Sequence, residues 1–233
     1  TQAEPQAVYD HLDWLETVLP FPVHRVTGGN LRTDLMTQPG KRKYPLLPIP
    51  VYVAGTSTYG GQIQRACTRD YKIKPIIKQL RAMTGLTRRP APKHPIIEQW
   101  IGISSDEIVR MKRSRDAWIE HRWPLVEKRA SRGDCIEWFN RRYPGRSLTK
   151  SACTFCPYHA NEQWRGLTPT EFADAVVVDK MIRNARGYDQ RNGHLQTYLH
   201  RSMKPLDQVD FSTAEDRGQL NLFLNECEGM CGV

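Results

Sequence analysis

At 233 residues, 39% of them apolar and 25% charged, the chain is long enough to bury a core of its own, and no run in it approaches the ~18–20 apolar residues that a membrane-spanning helix needs, so it reads as a soluble globular protein. The formal net charge of +9 is unevenly spread: residues 210–233 hold five acids and one base, which leaves +13 on residues 1–209 and favours phosphate-rich partners over cationic ones. Six cysteines in a chain of this length, without a secretory segment, are too sparse for a disulfide framework and point to a reducing, cytoplasmic setting.

The chain opens on "TQAEP" rather than on a start methionine, and an upstream piece is expected. Over residues 4–19, Val8, Leu12, Leu15 and Leu19 recur at helical spacing, and "FPVHRVTGG" then reads as a short strand entering a glycine turn. Residues 36–50, rich in Pro, Lys and Arg, read as an irregular loop, and "IPVYVAG" as a short strand or loop edge. In "TRDYKIKPIIKQLRAMTG" the spacing of Ile73, Ile76, Ile77 and Leu80 predicts a helix with Pro75 in its first turn and Gly85 as its stop. "HPIIEQWIGI" has the branched, apolar character of a buried strand and runs into "SSDEIVRMKRS", a helix-forming stretch in which Ser104 and Glu107 are spaced as a capping box. A strand feeding a capped helix is half of a βαβ unit. Cys135, on a further helical stretch, is expected to be a buried inert thiol. Thr168 and Glu171, with Pro169 between them, form a second capping box that opens a helix over 169–185. Alternating strands and helices predict an α/β fold, with a main domain over 1–209 and a cysteine-containing tail over 210–233.

"SACTFCPYH" at 151–159 carries the clearest chemistry. Cys153 and Cys156 are spaced so that a tight turn aims both thiolates at one metal, as in zinc knuckles and iron–sulfur corners. Further ligands are sought among Cys67, His159, Cys135, Cys227 and Cys231. Pro157, directly after a ligating cysteine, tilts the reading to iron–sulfur, while His159 keeps zinc open. A metal-free pair of thiols is the plain alternative. Around Cys67, the cations Arg65, Arg69, Lys72 and Lys74 are dense enough to lower a thiol's pKa and to bind phosphate, unless they are simply a solvated helix face. "GISSDE", from Gly102 to Glu107, is a candidate anion site at a helix N-terminus; Arg110, one turn on, faces either such an anion or Glu107.

Taken in order, these segments resemble the phosphoadenosine phosphosulfate reductase family, within the adenine-nucleotide α-hydrolase, or PP-loop, class. "RACTRDYKIKPIIKQLR" resembles the family's cysteine–basic–proline helix, "WIGISSDEIVRM" its Trp-Gly-Glu-Arg segment, "CTFC" its paired cysteines and "NECEGMCG" its terminal Glu-Cys-Gly; a closer likeness is to the phage and prophage branch. The likeness covers residues 1–157 and the tail. It implies a Rossmann-like PP-loop sheet flanked by helices with a helical C-terminal part, ATP or an adenine sulfonucleotide as ligand, and sulfur transfer or reduction on a nucleotide, sulfonucleotide or nucleic-acid base. It implies a [4Fe–4S] cluster held by Cys67, Cys153 and Cys156, since Ala66 stands where cluster-bearing members have a further cysteine. Three ligands leave one iron open, as in the PP-loop enzymes that thiolate tRNA. Cys227 carries over as the candidate nucleophile, with Cys231 competing for the role, and a homodimer is compatible. The family's Ser-Gly-Gly-x-Asp-Ser nucleotide loop is absent, "TGGNLRTD" at 27–34 being a poor substitute, so the chain reads as lacking the PP-loop strand and helix. The rival expectation is a zinc-stabilised nucleic-acid binder that uses Cys153, Cys156 and His159 and has no catalysis.

Overall fold

Pro5 starts the first helix and Pro20 ends it. α1 runs Gln6–Val18, and Leu19, which precedes a proline, turns extended at ψ 136°. The apolar stripe on α1 is real but only Val8 is buried, the other stripe residues being half-exposed. The computed structural model describes residues 1–37, 47–54, 61–62, 65–148, 150–183, 196–212 and 216. These fall into two compact units, one built from residues 1–77 with those from 150 onward, the other from residues 78–148.

In the first unit, the strand expected over 21–29 does not form; a short helix, α2 (Leu31–Thr37), follows instead, on residues expected to be partly loop. β1 (Tyr52–Ala54) lies where a short strand or a loop edge was expected and pairs antiparallel with β2 (Gly61–Gln62) on one side and β5 (Gln196–Tyr198) on the other, in the order β2-β1-β5. The helix at Pro75 begins earlier than the proline suggests. It starts at Cys67, widens into a π-helical turn over Arg69–Ile73 and continues as α3 (Lys74–Met83). Proline has no N–H and its ring crowds the carbonyl four residues back, so the chain takes a wider turn, with Lys74 N donating to the Arg69 carbonyl five residues away. Gly85, at φ +69°, ends this helix as its sequence position predicts.

α6 (Asn161–Arg165) and α7 (Pro169–Ile182) complete the first unit with a 3₁₀ turn at Leu206–Gln208. α7 has the full capping box: Thr168 Oγ1 accepts from Glu171 N, and the Glu171 carboxylate accepts from Thr168 N at 2.9 Å. The core of the unit gathers Leu31, Val51, Phe155, Trp164, Val178 and Leu199, each at most 1% exposed. Asp179, also 1% exposed, accepts from Leu199 N at 2.9 Å and Leu206 N at 3.0 Å and pairs with Arg183, tying α7 to β5 and the 3₁₀ turn.

The second unit holds β3 (Ile97–Trp100) and β4 (Ile119–Arg122), paired in parallel with Ile97 opposite Ile119 and Trp100 opposite Arg122. This is the half-βαβ expected from the sequence, with a 3₁₀ helix, Ser105–Arg110, as the crossover element. The Ser104 capping box does not form: Asp106 takes the serine hydroxyl and Arg110 takes the Glu107 carboxylate. β3 is also not a buried strand, because its residues alternate between half-buried and exposed and Trp100 is 66% exposed. α4 (Pro124–Glu127) and α5 (Arg132–Arg142) follow, α5 opened by a capping box between Ser131 and Asp134. Cys135 lies on α5 as expected and is half-buried rather than buried. Helices and two small sheets thus make up the described chain. β3 and β4 are the one parallel pair among the described residues, and no described helix is long and apolar enough to cross a membrane.

Candidate metal centre

"CTFC" folds as a tight turn because its central residues are pinned. Phe155 is fully buried in the core and Thr154 nearly so, while Thr154 N donates to the Ala3 carbonyl at 2.8 Å. Cys156 N closes the turn on the Cys153 carbonyl at 3.0 Å, and His159 N closes a second turn on the Cys156 carbonyl at 3.1 Å. Cys153 and Cys156 therefore flank a hydrophobic anchor, each half-buried.

Cys67 arrives from the opening of the π-turn helix, where its N–H donates to the Pro48 carbonyl at 2.7 Å. Both Cys67 and Cys153 pack against the core of the first unit. Their proximity has an electrostatic signature: charge on Cys67 disfavours charge on Cys153, and the Tyr158 phenol feels both Cys67 and Cys156. Cys67 thus comes within electrostatic range of Cys153, although 86 positions separate them, and Tyr158 lies within such range of both Cys67 and Cys156. Among the described residues no three His, Cys, Asp or Glu side chains sit at the spacing of a formed metal-binding group.

Burial holds both thiols protonated. It pushes Cys153 up to about 11, with the Glu4 carboxylate and Cys67 adding unfavourable charge, against lowering influences from the hydrogen bond to Thr1 Oγ1 at 3.3 Å and from Lys72. Cys67 is raised by burial too, offset in part by Arg65 and Lys72. His159 is half-buried and held neutral, its pKa lowered to about 4 by desolvation and by Lys150, and its buried Nδ1 has no hydrogen-bond partner. Its ring meets Trp164 edge-on at 4.7 Å between centroids.

The four cations expected around Cys67 divide. Arg65 lies over the Tyr158 ring at 5.6 Å, and Lys72 is exposed and within reach of both Cys67 and Cys153. Arg69 and Lys74 both pair with Asp70, at 3.0 and 2.6 Å, and hold that carboxylate down to about 2. Gly102, exposed just beyond β3, and Arg110, paired with Glu107, belong to the second unit rather than to the unit that holds the thiols. Cys227 and Cys231 lie outside the described residues.

Two features of this neighbourhood had no signal in the sequence. One is the polar group beside Cys153, in which Thr1 and Tyr9 both donate to Glu4, Tyr9 at 2.8 Å; burial and that carboxylate push Tyr9 up to about 12. The other is Gly28, whose Cα approaches the π-turn so closely that an added Cβ would lie 2.8 Å from the Asp70 carbonyl oxygen. No family model, curated protein or solved structure matches this chain.

Proposed function

We propose that the chain is a phosphoadenosine phosphosulfate reductase-like enzyme of the PP-loop α/β class, in which Cys67, Cys153 and Cys156 hold an iron–sulfur centre and sulfur is transferred or reduced on a nucleotide, a sulfonucleotide or a nucleic-acid base. The observation that supports this reading is that Cys67 comes within electrostatic range of Cys153, 86 positions away, on the core of the unit that also holds Cys156, Arg65 and Lys72. The donor chemistry of the three thiols fits such a centre, and the side chains must turn toward one another to bind it. Ligation would also remove the proton that burial keeps on Cys153, so metal uptake would release protons and strengthen with pH. Cys67, Cys153 and Cys156 would hold the cluster, and a cluster with three cysteine ligands would supply chemistry for handling sulfur. Lys72 and Arg65 lie where they favour thiolate and neutralise an anionic substrate. Arg69 and Lys74 are already engaged by Asp70 and contribute less.

One observation favours a second reading. The half-buried, neutral His159 leaves its buried Nδ1 unpartnered three residues after Cys156, which suits a zinc site made with Cys153 and Cys156 in a nucleic-acid-binding protein. Purification without oxygen, followed by metal analysis and a visible spectrum, separates the two. Brown protein with stoichiometric iron, lost in each of C67S, C153S and C156S and retained in H159Q, supports the enzyme. Colourless zinc protein, sensitive to H159Q and indifferent to C67S, supports the binder, and metal-free wild-type protein sinks both.

A further inference from the structure

The second unit carries sixteen Lys and Arg against eight Asp and Glu over residues 78–149, a net +8 within a chain whose total is +9. Part of that charge lies on two loops at the C-terminal ends of the parallel strands. The ladder register sets Trp100 beside Arg122, and Ile101 N extends the pairing by donating to the Arg122 carbonyl at 2.9 Å. The loop after the 3₁₀ helix is pinned to the same end of the sheet, since His121 Nδ1 and the Lys112 carbonyl are 2.9 Å apart. The loop after α4 is pinned there as well, because Ser105 N donates to the Ala130 carbonyl at 2.9 Å. Lys112, Arg113, Lys128 and Arg129 on these two loops are exposed and make no ion pair with a described acid.

Trp100 is unusual in being both exposed and held. Its indole N–H donates to Glu98, and the Arg122 guanidinium lies over its ring at 5.9 Å; Glu98 and Glu127 in turn pair with Arg122 at 3.3 and 2.6 Å. With 66% of the residue still open to solvent, the ring is a fixed aromatic plate beside the Arg122 guanidinium, on the unit that carries most of the basic charge. An acidic protein would use the cations and has no need of an oriented exposed indole. A single-stranded nucleic acid uses both, because every base has a face to stack and every linkage a charge to neutralise. A duplex keeps its bases stacked on each other and offers no face to the plate.

We infer that the C-terminal ends of β3 and β4 form a docking surface for single-stranded nucleic acid, with Trp100 stacking on a base and Lys112, Arg113, Lys128 and Arg129 taking phosphates. The inference rests on the second unit alone and stands or falls apart from the metal reading. The test is fluorescence anisotropy of the full chain with a labelled oligouridine 12-mer at several salt concentrations. W100A weakens binding roughly tenfold with the salt slope unchanged, and W100F restores most of it. The quadruple alanine variant at 112, 113, 128 and 129 weakens binding and flattens the slope by about 3, at roughly 0.7 per phosphate contact on a single strand. Circular dichroism matching wild type confirms that each variant is folded, and C67S binds RNA as wild type does whatever becomes of its metal. The inference is overturned if W100A binds as well as wild type, if the quadruple variant keeps the wild-type slope, or if a duplex of equal length or polyglutamate binds as tightly as the single strand.

Discussion

A methyl group at position 28 would lie 2.8 Å from the Asp70 carbonyl oxygen and 2.9 Å from the Tyr71 Cα, backbone atoms of the π-turn that cannot rotate aside. G28A therefore destabilises the protein by about 1–3 kcal/mol through overpacking, read as a lower urea midpoint at unchanged slope. Because that turn follows directly on Cys67, the proposed metal centre predicts a lower metal content in the same variant. His200 acts on a different axis. Ser202 N donates to its Nδ1 at 3.1 Å, which fixes the tautomer with a proton on Nε2 donating to Asn161 Oδ1 at 3.2 Å. Burial, aided by Arg201, lowers its pKa to about 4, and burial does the same to His159. A folded-state pKa below the unfolded value of 6.5 means that the stabilisation is whole above pH 6.5, declines as the unfolded chain takes up protons, and is gone once pH falls through 4. Each histidine contributes on the order of 3 kcal/mol to that decline. Urea midpoints at pH 7 and pH 4.5 check it: the difference is smaller in H200Q than in wild type, and an equal difference removes His200 as a cause.

Two elements with the same Ser/Thr-x-x-Glu signature behave differently. At Thr168, Pro169 presets the first helical φ and a helix of 14 residues follows, so both bonds of the box form. At Ser104 the chain enters a short 3₁₀ helix whose Glu107 has φ −111° and ψ 20°, and neighbouring Asp106 and Arg110 take the box's two side chains. The pattern shows where a helix starts; what competes for its groups is decided locally. α7 also carries the main polar junction of the first unit. D179A leaves two buried N–H groups and Arg183 without their acceptor and costs about 3–5 kcal/mol, measurable by urea denaturation. T168A, losing one cap, costs about 1 kcal/mol.

At the scale of the molecule, the division into two units makes the site of that damage predictable. Hydrogen exchange in D179A rises across α7 and β5, while β3 and β4 keep wild-type protection; uniform acceleration through both units would show a single cooperative body instead. The same division sorts the expected phosphate-binding residues. Arg65 and Lys72 belong to the unit of the thiols, whereas Gly102 and Arg110 belong with Trp100 to the more basic unit. The sequence segments "RACTRDYK" and "WIGISSDE" follow one another along the chain and read together as one nucleotide site, and linear order carries no record of which compact unit a segment joins.

Local signals determined a good deal unaided: the helix stop at Gly85, the capped start of α7, the tight turn at Cys153–Cys156 and the short strand at Tyr52 all follow from steric and hydrogen-bonding preferences that act within a few residues. Only the tertiary structure decided that Cys67 lies near that turn, that Gly28 must be glycine, that Asp70 occupies two of the expected phosphate ligands, and that Trp100 faces solvent rather than a core. Each of those outcomes depends on which distant surface a residue meets, and burial, close approach and charge pairing arise only once the chain has closed on itself.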